Sequence, residues 1–98
     1  MPPTAQALMR SRYSAFALLN AAYLLATWHP RTRPTRLDFT PGQQWVMLKL
    51  VSATTEGDHG TVEFVARSKV GGKLHELHEV SRFVRDGGRW YYVDGDIG

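Results

Sequence analysis

An α+β domain, with its helices first and its strands afterwards, is the fold class this sequence predicts. Apolar residues recur at helical spacing as far as Trp28. After Gly42 the pattern changes to alternation, the period of a strand with one buried face. Short glycine-containing segments join the alternating runs, as an antiparallel meander requires. Helices followed by strands place the helices across one face of a curved sheet. The 98 residues suffice for one small domain over 1–98, with helices at about 4–28, a loop at about 29–43 and strands at about 44–96.

The first helix begins after Pro2-Pro3, with Thr4 as N-cap. From Ala5 to Leu19 the residues Leu8, Met9, Ala15, Phe16 and Leu19 form one stripe. Arg12 lies on that stripe between Leu8 and Phe16, so its stem snorkels outward or its head meets a buried acid. Asn20 ends this helix and caps a second, Ala21–Trp28. Pro30 stops it, because His29 before a proline is pushed out of the α region. Arg31 to Arg36 is a polar loop, and Pro41-Gly42 punctuates again.

Gln44–Thr54 reads as the first strand, with Val46, Leu48 and Leu50 on one face. Glu56–Gly60 is a loop. Thr61–Val70 is the second strand, with Val62, Phe64 and Ala66 on one face, and Gly71-Gly72 turns the chain. The last two strands flank Asp86-Gly87-Gly88, a hairpin signal because primed turns need positive φ. A loop at Asp86-Gly87 sets Phe83 opposite Trp90 and Glu79 opposite Asp94. A loop at Gly87-Gly88 sets Phe83 opposite Tyr92 and Ser81 opposite Asp94. Either register puts Glu79, Ser81, Phe83, Trp90, Tyr92 and Asp94 on one face. The large aromatics make that face the inner one.

The chain has no cysteine, which removes disulfides, thiolate metal sites and thiol catalysis, and fits a cytoplasmic protein. Net charge is +3 but unevenly spread. Arg10, Arg12, Arg31, Arg33 and Arg36 precede the first acid, whereas the remainder carries more acids than bases. Those arginines either meet an anionic partner or balance an acidic sheet. Tyr13, Tyr23 and Trp28 are interleaved with them, as in a nucleic-acid surface, but their helical spacing assigns them to the core. The longest apolar run, Ala15 to Leu25, is too short to span a membrane. Two arginines ahead of it imitate a signal peptide without a cleavage site to follow.

His75 and His78 point to opposite faces of a strand, so they form no joint metal site. His29 either caps the second helix or faces a pocket. Glu79 and Asp94 are the acid/base candidates, since a carboxylate desolvated beside Trp90 and Tyr92 suits proton transfer. Their structural alternative is ion pairing to Arg10 or Arg12. No nucleotide or nucleophile-elbow motif occurs.

Leu8-Met-Arg-Ser-Arg-Tyr-Ser-Ala-Phe16, Tyr23-Leu, Thr27-Trp-His-Pro30, Val62-Glu-Phe-Val-Ala-Arg67, Ser81-Arg-Phe83 and Gly88-Arg-Trp-Tyr-Tyr-Val-Asp-Gly95 together resemble the YchJ-like bacterial family. The resemblance runs from about Ala7 to Gly95. It implies a nuclear transport factor 2-like, cystatin-like cone, in which helices lie across a strongly curved sheet and a pocket opens between them. The family is typically flanked by cysteine-rich SEC-C segments, which this chain lacks, so no zinc-dependent role carries over. It implies no cofactor and no established activity.

The expected pocket residues are Arg10, Arg12, Tyr13, Glu79, Ser81, Trp90, Tyr92 and Asp94, with His29 near the rim. The leading expectation is non-catalytic binding of a small molecule or protein partner in or near the cone, with arginine pairing the carboxylates. The alternatives are an isomerase or hydratase using a pocket carboxylate, and a homodimer packed through the outer face of Val80, Val84, Tyr91 and Val93. No membrane or nucleic-acid partner is expected.

Overall fold

A computed structural model describes residues 1–98. It is α+β, with two helices packed on a four-stranded antiparallel sheet of order β1-β2-β3-β4. Helix α1 spans Ala5–Ala17, and Thr4 Oγ1 accepts from the Ala7 amide at 3.0 Å. It stops two residues short of the expected Leu19, because Leu19 adopts a left-handed φ of 57°. The Leu19 amide then donates to Phe16 O and the Asn20 amide to Ala15 O, the paired bonds of a Schellman cap. Leucine occupies the position where glycine is usual, and its side chain is 60% exposed.

Asn20 starts α2, Ala21–Ala26, its Oδ1 accepting from the Tyr23 amide at 3.1 Å. The expected extension to Trp28 does not form. The Tyr92 amide donates to Thr27 O, and the His29 amide donates to Tyr92 O, each at 2.8 Å. Trp28 thus joins the sheet edge as a parallel bridge to Tyr92. Residues beyond the helix satisfy their backbone groups on a distant strand instead of continuing the helical ladder.

The strands are β1 (Gln44–Glu56), β2 (His59–Val70), β3 (Lys73–Asp86) and β4 (Arg89–Ile97). Gly87 and Gly88 have φ of 61° and 79° and form the last hairpin loop, with Asp86 opposite Arg89 and Phe83 opposite Tyr92. Both φ values lie where residues with a β-carbon are strained. Three bulges redirect the side chains. In β1 the pairing skips Val46 and Val51. Trp45, Leu48, Leu50 and Ala53 therefore pack inward while Val46 is 50% exposed, contrary to the expected Val46–Leu48–Leu50 face. In β4 the skipped residue is Val93, so Asp94 pairs with Arg82 and Gly95 with Ser81. Bulges bend and twist a strand locally, which curls the sheet around α1.

The core joins Ala5, Leu8 and Met9 of α1 to Val62, Phe64, Ala66, Phe83 and Trp90 of the sheet. The outer sheet face is crossed by ion pairs of Arg67 with Glu76 and of Arg82 with both Asp94 and Asp96, and by a hydrogen bond between His78 and Glu63. Arg82 holds the Asp96 carboxyl below its usual range.

Candidate binding cavity

Between α1, the Trp28 segment and the inner sheet face lies a cavity of about 170 Å³. Met9, Phe16, Trp45, Phe64, Ala66 and Leu77 supply most of its wall. Its polar groups come from Arg12, Tyr13, Trp28, Glu79, Ser81 and Tyr92.

Arg12 reaches this position because its place on the apolar stripe turns it toward the sheet, where it is 3% exposed. Nη1 donates to Leu24 O at 2.8 Å and to Thr27 Oγ1 at 2.7 Å. The guanidinium lies 4.5 Å from the Tyr92 ring centroid and 5.3 Å from that of Trp28. Burial pulls its pKa down to about 10, an effect that Tyr92, Tyr23 and Glu79 oppose, so it is a cation at neutral pH. No carboxylate reaches it within ion-pair distance. The expected pairing of Arg12 with Glu79 or Asp94 is therefore replaced by a carbonyl, a hydroxyl and two aromatic faces.

Glu79 is half-buried, and Ser81 Oγ donates to its Oε2. Its side chain lies over Gly95, where an added β-carbon would stand 2.7 Å from Glu79 Cδ and 3.0 Å from Cγ. A β-carbon there would push the Glu79 side chain aside. Gly95→Ala is expected to cost about 1–3 kcal/mol as the carboxylate is displaced. In a urea-denaturation double-mutant cycle, Glu79→Ala should recover most of that loss. Additive costs would show that this contact does not set the need for glycine.

Burial, and then Glu79, push the Tyr92 phenol up to about 12. Burial also raises Tyr13, whose ring meets Trp45 edge-on at 5.9 Å. Trp28 Nε1 is the one fully buried side-chain polar atom without a hydrogen-bond partner.

Four of the expected site residues lie off the cavity. Arg10 sits on the exposed side of α1, two residues and more than half a turn from Arg12. His29 bonds Asp86 Oδ2 through Nε2 at 3.0 Å and accepts from the Arg31 amide through Nδ1. Trp90 is core, with the Arg85 guanidinium 5.3 Å from its ring centroid. Asp94 faces outward and accepts from Arg82 Nε at 2.6 Å, because the bulge at Val93 reverses the alternation. Trp28 and Trp45 were not expected in the wall. Trp28 reads as the end of a helix, and Trp45 falls on the outer side of a strand unless the Val46 bulge is known.

Two short helices across a curved four-stranded meander, with a cavity between the layers, define a helix-on-sheet cone. The chain belongs to the family described as the YchJ middle NTF2-like domain, whose model matches residues 4–95. It is 59% identical over 95 residues to a UPF0225 protein of Polaromonas naphthalenivorans, covering 96% of this chain and 70% of that protein. A UPF0225 protein of Chromobacterium violaceum is 61% identical over 99 residues, covering 95% and 73%. Among solved structures, a SEC-C motif-containing protein from Rhodopseudomonas palustris superposes with a TM-score of 0.88 at 34% identity, covering 97% of this chain and 79% of that one. One from Psychrobacter arcticus gives 0.79 at 32%, covering 99% and 62%.

Proposed function

We propose that this domain binds a small, largely apolar molecule in the cavity beneath α1 without transforming it. The observation that carries this reading is the cavity itself, walled by Trp45, Phe64, Leu77 and the Trp28 ring. Its volume of about 170 Å³ is below the roughly 300 Å³ at which drug-sized sites begin. It is close to the roughly 150 Å³ of an apolar cavity that admits benzene. A single ring with one substituent matches that space. The polar groups favour binding over turnover, since Ser81 engages Glu79 and protein acceptors fix the Arg12 guanidinium. The outer sheet face, the alternative homodimer surface, is occupied by its own ion pairs and supports association less well.

The test is a thermal-shift and NMR titration with small monocyclic aromatics, using Leu77→Trp to fill the cavity. Binding raises Tm by mass action and shifts signals of the wall residues. Leu77→Trp should fold and lose that response. The reading fails if no such probe perturbs the wall, or if the filled variant binds equally well.

A further inference from the structure

The two charged groups of the cavity balance one another without touching. Arg12 and Glu79 both line it, yet no ion pair joins them. Burial opposes the Arg12 charge and Glu79 favours it, so the pair interacts over a gap too wide for direct contact. The wall is therefore neutral overall, with a cation and a carboxylate held apart. Each keeps unused hydrogen-bonding capacity. Nη1 of the guanidinium is engaged by Leu24 O and Thr27 Oγ1, which leaves Nε and Nη2 as donors. Neither is sealed in the way Trp28 Nε1 is. A carboxylate has about four acceptor positions, and Ser81 Oγ fills one of them on Glu79 Oε2. Even with the neighbouring Tyr92 hydroxyl turned toward Glu79, acceptor capacity remains. The rest of the wall is hydrophobic or aromatic.

A group placed in that gap must donate to the carboxylate, accept from the guanidinium and bring no charge of its own. A hydroxyl does both through one atom. A carboxylate accepts without donating and is repelled by Glu79, whereas an ammonium donates without accepting and is repelled by Arg12. Resting on the ligand-binding reading above, we propose that the cavity selects neutral monohydroxylated rings, phenols above all, with the hydroxyl bridging Arg12 and Glu79. The O–H donates to Glu79 and the oxygen accepts from Arg12, while the ring lies against Phe64, Trp45 and Leu77. Hydrogen bonds to charged partners are the stronger class, and in an otherwise apolar cavity they separate this ligand from a plain hydrocarbon of the same shape.

Phenol, toluene, benzoate and benzylamine share one ring and differ at the substituent. Each is titrated at neutral pH against the ¹⁵N-labelled full chain, following the amide signals of Glu79 and Ser81. Phenol is expected to bind at least about fivefold more tightly than toluene and about tenfold more tightly than either charged ring. Two variants then move the balance in opposite directions. Glu79→Gln leaves the cation unopposed, so phenol weakens several-fold and benzoate gains several-fold. Arg12→Met leaves the carboxylate unopposed, so benzylamine gains instead. Toluene should bind both variants with unchanged affinity, which shows that each still forms the cavity, and either variant alone decides the matter if the other does not fold. If toluene binds as tightly as phenol, or if neither substitution changes which charged ring is preferred, the hydroxyl assignment is wrong while the cavity remains a binding site. If none of the four binds, both the assignment and the ligand-binding reading fall.

Discussion

Replacing Phe83 with alanine lowers stability by about 3–5 kcal/mol, the range for removing a fully buried phenylalanine. Phe83 is 1% exposed and belongs to the core that joins α1 to the sheet. It pairs with Gly60 of β2 and Tyr92 of β4. Its ring meets Tyr92 edge-on with centroids 5.8 Å apart. Alanine removes that contact and leaves a void that the neighbouring strands cannot collapse into without breaking their ladders. For a domain of this size, a loss of that order lowers Tm by on the order of 20 °C. Phe83→Leu, which keeps most of the volume, should cost under half as much. Calorimetry or urea denaturation at neutral pH checks both. A loss below about 1.5 kcal/mol for the alanine variant would mean that the sheet repacks freely here.

The helices-then-meander order was legible because its signals are local. The change of period after Gly42 and the paired glycines at 71–72 and 87–88 are written in consecutive residues. The inward faces of β2 and β3 were legible for the same reason, since neither strand contains the extra residue of a bulge. What escaped was non-local or unsignalled. The bulges fall at Val46, Val51 and Val93, residues that any regular strand would accept, with no glycine or proline at the skipped position. Each reverses the alternation beyond it, and Asp94 was assigned to the wrong face as a result. Trp28 was lost as a wall residue because its pairing with Tyr92 links positions sixty-four apart. Arg12 was singled out correctly as anomalous on an apolar stripe. Its partners were not, because a backbone carbonyl and two ring faces leave no charge pattern to search for.

Arg12→Ala is the second large effect, a loss of about 2–4 kcal/mol. Through Arg12, helix α1 grips the end of α2 and the edge of β4 together: it bonds Leu24 O and Thr27 Oγ1 and covers Tyr92 and Trp28. Truncation removes two charge-assisted hydrogen bonds, each worth about 1.5–3 kcal/mol, and two cation–π contacts. Relief from burying a charge offsets part of that. The acceptors are not wholly orphaned, because the single Thr27 hydroxyl hydrogen remains shared between Tyr23 O at 2.8 Å and Leu24 O at 3.3 Å. Arg12→Met loses the same bonds and the same buried charge but keeps the stem's packing, so the contrast between the two variants measures the cavity that alanine leaves. Methionine should cost only about 0–1.5 kcal/mol. Urea denaturation of both variants beside the unsubstituted chain measures the difference. If alanine costs under about 1 kcal/mol, Arg12 does not join the helices to the sheet. If methionine proves as costly as alanine, the guanidinium's hydrogen bonds are what the fold requires. If methionine folds with little loss, the fold does not need the cation, and a buried charge that folding does not need is the state expected of a residue kept for what enters the cavity.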